Sequence, residues 1–346
     1  MFMEIKKKHF VLTILTLLPL IFITINFNTN IIQTKNSNLL NKEENDQDSN
    51  NLNIAKFWTL KNTFIHIKNN WTQVNSTFEW CNGKGTYAEP YIIENLTIDA
   101  GGKYSGIIIE NSRVYFIIRN CTIFNSSKNS NGAALKIINT TNGIIEKNNF
   151  SNNNGFGIFL NSTHNFTISQ NIIQDNKNDG IYANGCQNNT FYKNSIKYNT
   201  GIGLNIENCR LNLFNDNIVK NASNYGIYLK SSDNNTVKYC IFDHCGNYGI
   251  YLDENSDENW IHDNYIGYCY YSKEDGKCVY IIDKGKNNHI FYNDWLGNCQ
   301  DDPVYGELEE PALAISGYNI IELVFISIIS ISAVLLLIKK KLRKNF

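Results

Sequence analysis

The sequence predicts an all-β chain: a single right-handed parallel β-helix, a solenoid of about nine coils, with an apolar helix at each end. Three observations predict it. Ala134, Gly157, Gly180, Gly203, Gly226 and Gly249 stand 23 residues apart through five intervals. Four apolar columns keep the same register between Asn-rich segments. An apolar run lies near each terminus, and the second is followed at once by cations.

In chain order, Lys6-Lys7-Lys8 and the apolar run Phe10 to Phe27 make residues 1–27 a secretory signal or an uncleaved signal anchor. Residues 28–53, rich in Asn, Asp, Ser and Lys, have little to bury and read as a disordered stalk. Residues 54–90 form an N-terminal cap and lead-in segment, and 91–300 the β-helix. A juxtamembrane linker, 301–319, leads to Ile320–Ile338, which is apolar apart from Glu322 and a few serines. Its 19 residues are enough to cross a hydrocarbon core of roughly 30 Å at about 1.5 Å per residue. Lys339, Lys340, Lys341, Arg343 and Lys344 in the tail 339–346 would keep that end cytoplasmic and the β-helix outside. Twelve Asn-x-Ser/Thr sequons, Asn70, Asn95, Asn161 and Asn234 among them, fit a glycosylated cell-surface protein. A net charge of −1 with 18% charged residues leaves no nucleic-acid footprint.

Within the repeat, one column is Leu135, Ile158, Ile181, Leu204, Ile227, Ile250, and two residues on lies Ile137, Leu160, Ala183, Ile206, Leu229, Leu252. A third is Ile145, Ile168, Phe191, Phe214, Val237, Trp260, and a fourth Phe150, Ile173, Ile196, Val219, Phe242, Tyr265. Apolar residues at alternate positions, many of them β-branched or aromatic, mark strands. One coil cannot bury its own apolar face, but stacked coils bury a continuous one, each column repeating at about 4.8 Å. Asn148, Asn171, Asn194 and Asn217, continued by Cys240 and Asp263, form a column suited to satisfying buried backbone groups at a corner. The spacing is strict from Ala134 to about Tyr265. It is looser outside that range, with a four-residue insertion near Ser126 to Ser130 and seven extra residues around Cys269 to Lys277.

Trp80-Cys-Asn-Gly-Lys-Gly-Thr86, Glu89-Pro-Tyr-Ile-Ile-Glu-Asn-Leu-Thr-Ile-Asp99 and Tyr115-Phe-Ile-Ile-Arg-Asn-Cys-Thr-Ile123 add a more specific signal. These segments resemble archaeal right-handed β-helix repeat proteins, grouped with the NosD-like and carbohydrate-binding/sugar-hydrolase β-helix families. The resemblance covers about Trp80 to Cys299 and implies the fold. For function it implies only a choice among lyases, hydrolases, adhesins and proteins of unknown role. Its NosD-like side also raises copper or other metal handling.

Catalysis on a polysaccharide would need paired acids with a base on one face. Asp175, Asp179, Asp216, Asp233, Asp243, Asp253, Asp257 and Asp263 scatter over the turns and columns of the repeat. No catalytic residue is therefore assigned. Cys240, His244, Cys245, His262 and Cys269 are weak metal candidates, soft ligands suited to copper or zinc, but they match no Cys-x-x-Cys pattern. No cofactor is expected, copper and calcium being the ones that the families bring to mind. Cys186 and Cys209 share a column with Thr163 and Ser232, as buried small residues or as a disulfide.

Tyr182, Tyr228 and Tyr251 fall between two inward columns and should point outward as ligand-binding residues, with Phe159 and Asn205 beside them. Tyrosines on a rigid sheet can stack against sugar rings. The function this implies is a non-catalytic, membrane-anchored surface protein for adhesion or carbohydrate binding. Its partner would be a polysaccharide, a cell-surface glycan or another surface protein. A polysaccharide lyase or hydrolase is the alternative, and a NosD-like metal handler the second.

Overall fold

The computed structural model describes residues 57–129, 131–269, 280–296 and 304–305. The signal or anchor segment, the stalk, the transmembrane segment, the basic tail, Cys278 and Cys299 lie outside the described residues. Among those described, no helix is long and apolar enough to cross a membrane.

The chain coils into three ten-stranded sheets. Each coil passes through a first sheet, such as Tyr91–Glu94, a second, such as Leu96–Asp99, and a third, such as Ile107–Glu110. Pairing between coils is parallel throughout, as in Ile168↔Phe191, Ile173↔Ile196 and Ile181↔Leu204. Triplets of strands from Tyr91–Glu94 to Ile281–Asp283 make eight complete coils. That is one fewer than the spacing gave, because the next coil runs into residues outside the described set.

At the amino-terminal end, Cys81–Asn82 pairs antiparallel with Tyr91–Glu94. Gly83 and Gly85 supply the positive φ angles, +119° and +74°, that this hairpin needs, and a Cβ on Gly83 would lie 2.0 Å from the Pro90 carbonyl oxygen. A short helix, Trp71–Thr77, buries Trp71, which stacks on Tyr91 at 5.1 Å and donates its indole N–H to Ser112 Oγ at 2.8 Å.

The corners explain the asparagines. Between first and second sheets a residue of positive φ (Gln170, Lys193, Asp216) turns the chain, and the next side chain points inward. There Asn171 Nδ2 donates to Asn194 Oδ1 and Asn194 Nδ2 to Asn217 Oδ1, each at 3.0 Å. Each Oδ1 also accepts the backbone N–H of the preceding coil. Two further ladders stand at the other corners. Asn153, Asn176 and Asn199 form one; Asn189, Asn212, Asn235, Asn259 and Asn288 form the other. Buried backbone groups thus find partners at all three bends.

The glycine column has a steric cause. A Cβ on Gly203 would meet the Gly226 carbonyl oxygen at 2.6 Å and Val219 Cγ1 at 2.3 Å, and its counterparts are equally tight.

The register departs from the strict spacing at one turn. Val237 pairs with Ile261 and Phe242 with Ile266, so the inward residues are Ile261 and Ile266, while Trp260 and Tyr265 face out. The ladder accordingly continues from Cys240 to Asn264 and Asn293 rather than to Asp263. The extra residue lies between Leu252, still 23 from Leu229, and Ser256, now 24 from Ser232. The four-residue insertion is present: Ile123 to Leu135 spans 12 residues where Phe150 to Ile158 spans 8.

Candidate functional site

On the third sheet the outward residues run in register as Ile108, Lys136, Phe159, Tyr182, Asn205, Tyr228, Tyr251 and Ile282. Tyr182, Tyr228 and Tyr251 therefore face out in one column, half-buried by neighbours the alternation did not predict. Phe159 and Tyr182 stack at 5.2 Å and 21°, and Phe156 lies 5.5 Å from each. Tyr228 meets Tyr251 edge to face at 5.1 Å, and Tyr225 sits 5.3 Å and 5.0 Å from the pair. Tyr248 closes this second group, 6.0 Å from Tyr225 and Tyr251.

Phe156, Tyr225 and Tyr248 escape strand alternation because they sit one residue before the glycine column. Their signal is a repeated pentad: Phe156-Gly-Ile-Phe-Leu160, Tyr225-Gly-Ile-Tyr-Leu229 and Tyr248-Gly-Ile-Tyr-Leu252. The two coils between carry Asp179 and Ile202 at that place, which parts the rings into two groups.

Polar side chains fill the gap. Tyr182 donates its hydroxyl to Glu207 Oε2 at 3.0 Å, and Lys230 pairs with Glu207 Oε1 at 3.3 Å. Asp179 accepts the Ile202 backbone N–H at 2.8 Å and Asn205 Nδ2 at 2.9 Å. Burial pushes the Asp179 carboxyl above its usual range. Burial, then the bond to Glu207, holds the Tyr182 phenol well above the usual tyrosine value. The Tyr228 phenol is pushed up to about 12, by burial first and then by the Asp253 charge. These rings stay neutral at physiological pH and act as stacking surfaces and hydroxyl donors. The acids are braced, Glu207 by a tyrosine and a lysine, Asp179 by two N–H donors.

The metal candidates are separated by the corners. Cys240, Cys245 and Cys269 point into the core, whereas His244 and His262 face outward and contact Asp243 and Asp263 at 2.7 Å each. Among the described residues no three His, Cys, Asp or Glu gather as a metal site. Cys186 and Cys209 are neighbours in their column, as the spacing predicts, and they are free thiols rather than a disulfide: Cys186 N–H donates to Cys209 Sγ at 3.2 Å. Trp260, turned outward by the register shift, is exposed and lies 4.2 Å from the His289 ring, while His262 stacks on Phe291 at 5.0 Å.

A family model described as a right-handed β-helix region matches residues 63–232, 105–266 and 223–307. No curated protein matches the chain. Similar solved structures include the A-module of a mannuronan C-5 epimerase from Azotobacter vinelandii, at 13% identity and TM-score 0.41, covering 73% of this chain and 89% of that one. An alginate lyase from Paenibacillus sp. is similar at 13% identity and TM-score 0.39, covering 69% of this chain and 76% of that one. A tailspike protein from an Acinetobacter baumannii bacteriophage, a capsular polysaccharide depolymerase, is similar at 10% identity and TM-score 0.36, covering 74% and 65%. Likeness of this degree carries no argument about what the chain does.

Proposed function

Because this chain belongs to the right-handed β-helix family and its coils are filled by structural side chains, we propose that its outer third-sheet face binds a glycan chain without cleaving it. The observation that carries this reading is the gathering of six partly exposed rings (Phe156, Tyr182, Tyr225, Tyr228, Tyr248 and Tyr251) along one outer face, with Phe159 buried among them rather than open to a ligand as the alternation suggested. They are held by a rigid sheet, so little rotamer entropy is lost on binding. Apolar ring faces beside tyrosine hydroxyls match the alternation of C–H and O–H groups on a sugar.

The test is a glycan array probed with the full chain and with Tyr182→Ala, Tyr228→Ala and Tyr251→Ala. Binding that falls about fivefold per lost platform supports the reading, since such contacts contribute about 1 kcal/mol each. Silence of the wild-type chain across the array would sink it.

One observation favours a second reading, a carbohydrate-active enzyme: two carboxylates, Asp179 and Glu207, stand on the same face among the rings. Release of reducing ends or of unsaturated sugars from an array-positive glycan, lost in Glu207→Gln, would establish it. The anchoring of the β-helix outside a membrane by Ile320–Ile338 belongs to the same proposal and rests on the sequence. Extraction of the chain from membranes by alkaline carbonate would count against it.

A further inference from the structure

The insertion after Ile123 changes the outer face where it occurs. With the turn at Lys103–Tyr104 of the preceding coil, it walls a cavity of about 260 Å³ lined by Phe64, Lys103, Tyr104, Ser127, Asn129 and Lys136, among others. Ile108 lines it too, so the cavity opens on the column that continues through Phe159 to the tyrosines. The wall is fixed by hydrogen bonds: Ser127 N–H donates to the Tyr104 carbonyl at 2.8 Å, Gly132 N–H to the Asn129 carbonyl at 2.8 Å, and Asn129 N–H to Ser127 Oγ at 3.0 Å.

Two features give the cavity a chemistry. Phe64 and Tyr104, both exposed, stack with centroids 4.5 Å apart and so present a fixed aromatic edge. Lys103 and Lys136 have no carboxylate partner among the described residues, and Lys136 Nζ sits 5.4 Å from the Phe159 ring centroid. Farther along this face Lys230 pairs with Glu207 at 3.3 Å, and Lys284 Nζ lies 5.3 Å from the Tyr251 ring centroid. Among the described residues, two ammonium groups without a carboxylate thus stand together at the amino-terminal end, while the carboxylates Asp179, Glu207 and Asp253 lie farther along. The volume is below the roughly 300–1,000 Å³ of sites for drug-sized ligands, which suits one sugar ring.

We propose that this cavity binds an acidic sugar unit, one bearing a carboxylate or a sulfate ester, with the anion on Lys103 and Lys136 and the ring against Phe64 and Tyr104. This deepens the glycan-binding reading and rests on it for the rest of the chain. An anion is favoured here because both lysines would gain a charge-assisted partner on binding. It is disfavoured at the centre of the track, where Asp179 and Glu207 already stand.

The experiment titrates the full chain with glucuronate, glucose 6-sulfate and glucose, followed by ligand-observed NMR at two salt concentrations. Glucuronate, glucose 6-sulfate or both should bind at least tenfold more tightly than glucose, and that margin should shrink as salt rises. Binding of one acid sugar alone identifies its group, carboxylate or sulfate, as the one the lysines take. Lys103→Gln and Lys136→Gln should each weaken acid-sugar binding about tenfold, the loss of one charge-assisted bond, and Lys136→Arg should restore most of it. Equal binding of all three sugars, no binding of either acid sugar, or unchanged affinity in the double Gln variant would overturn the proposal. Tyr198→Ala, exposed and part of neither the cavity nor the ring column, is the control and should leave monosaccharide binding unchanged, while the ring column is read on long glycans. Failure of the track reading therefore shows in the long glycans, and failure of this one in the monosaccharides.

Discussion

At the corners of the coil, each side chain meets its own kind one coil away. Asn171 bonds Asn194, which bonds Asn217, and Asn212 bonds Asn235 in another corner. On the outer face of the third sheet the rings also stack in register, but the polar side chains between them reach along diagonals: Tyr182 reaches Glu207, 25 residues on, and Asp179 reaches Asn205, 26 residues on. The corners make structure by repeating one contact, so their energy is spread over the column and a break is felt locally. The outer face makes a candidate site by interrupting a repeated row of rings with diagonal polar contacts, and its side chains can change with less effect on the coil.

The sharpest way to break the comparison is to interrupt a ladder. Asn194→Ala removes the acceptor for the Asn171 backbone N–H at 3.1 Å and the donor to the Ile168 carbonyl at 2.8 Å. Two buried groups left without partners should cost about 3 kcal/mol, read as a lower midpoint in urea unfolding. A midpoint within error of wild type would mean the ladder is decoration. Gly203→Ala comes next. Its Cβ meets backbone of the adjacent coil, which cannot swing away, and about 2 kcal/mol should be lost through overpacking.

The outer face should respond in the opposite sense. Tyr228→Ala loses the edge-to-face contact with Tyr251, for which about 1 kcal/mol of stability is expected, while glycan binding along the face falls about fivefold. Lower stability with glycan binding unchanged in the folded variant would show that the rings serve the coil alone.

How far each region is legible in the sequence follows from the same contrast. Contacts between like residues 23 apart can be read directly, and the first-corner ladder is readable from Asn148 through Cys240. Past Leu252 the reading slips by one, and the apolar pattern hides it, because Trp260-Ile261 and Tyr265-Ile266 are adjacent apolar pairs. Either member fits an inward column, and only pairing decides. The ladders of Asn176 and Asn212 share the same spacing but lie in turns, where alternation gives no guide. Tyr182, Tyr228 and Tyr251 face outward as alternation requires, whereas Glu207 and Lys103 join their sites through diagonals and an insertion that no period encodes.

Cys240 offers the smallest and most discriminating effect, since it is the ladder's own irregularity. Its Sγ stands where an asparagine would, contacting the Asn217 N–H at 3.4 Å, Asn217 Nδ2 at 3.8 Å and the Phe214 carbonyl at 3.6 Å. Sulfur is a weak donor and acceptor, so these three contacts are poorer than their asparagine equivalents. Cys240→Asn would restore an amide between Asn217 and Asn264 and should raise stability by about 1 kcal/mol at neutral pH. Burial pushes the wild-type thiol up from 9.0 to about 11. The unfolded chain therefore releases this proton first, and the folded state loses stability as pH rises from 9.0 towards 11. The variant lacks that loss, so its advantage should widen over the same interval in urea midpoints measured against pH. A gain at neutral pH that stays constant would separate the ladder from the thiol, and a less stable variant would show that the column is too tight at this coil for a fifth amide.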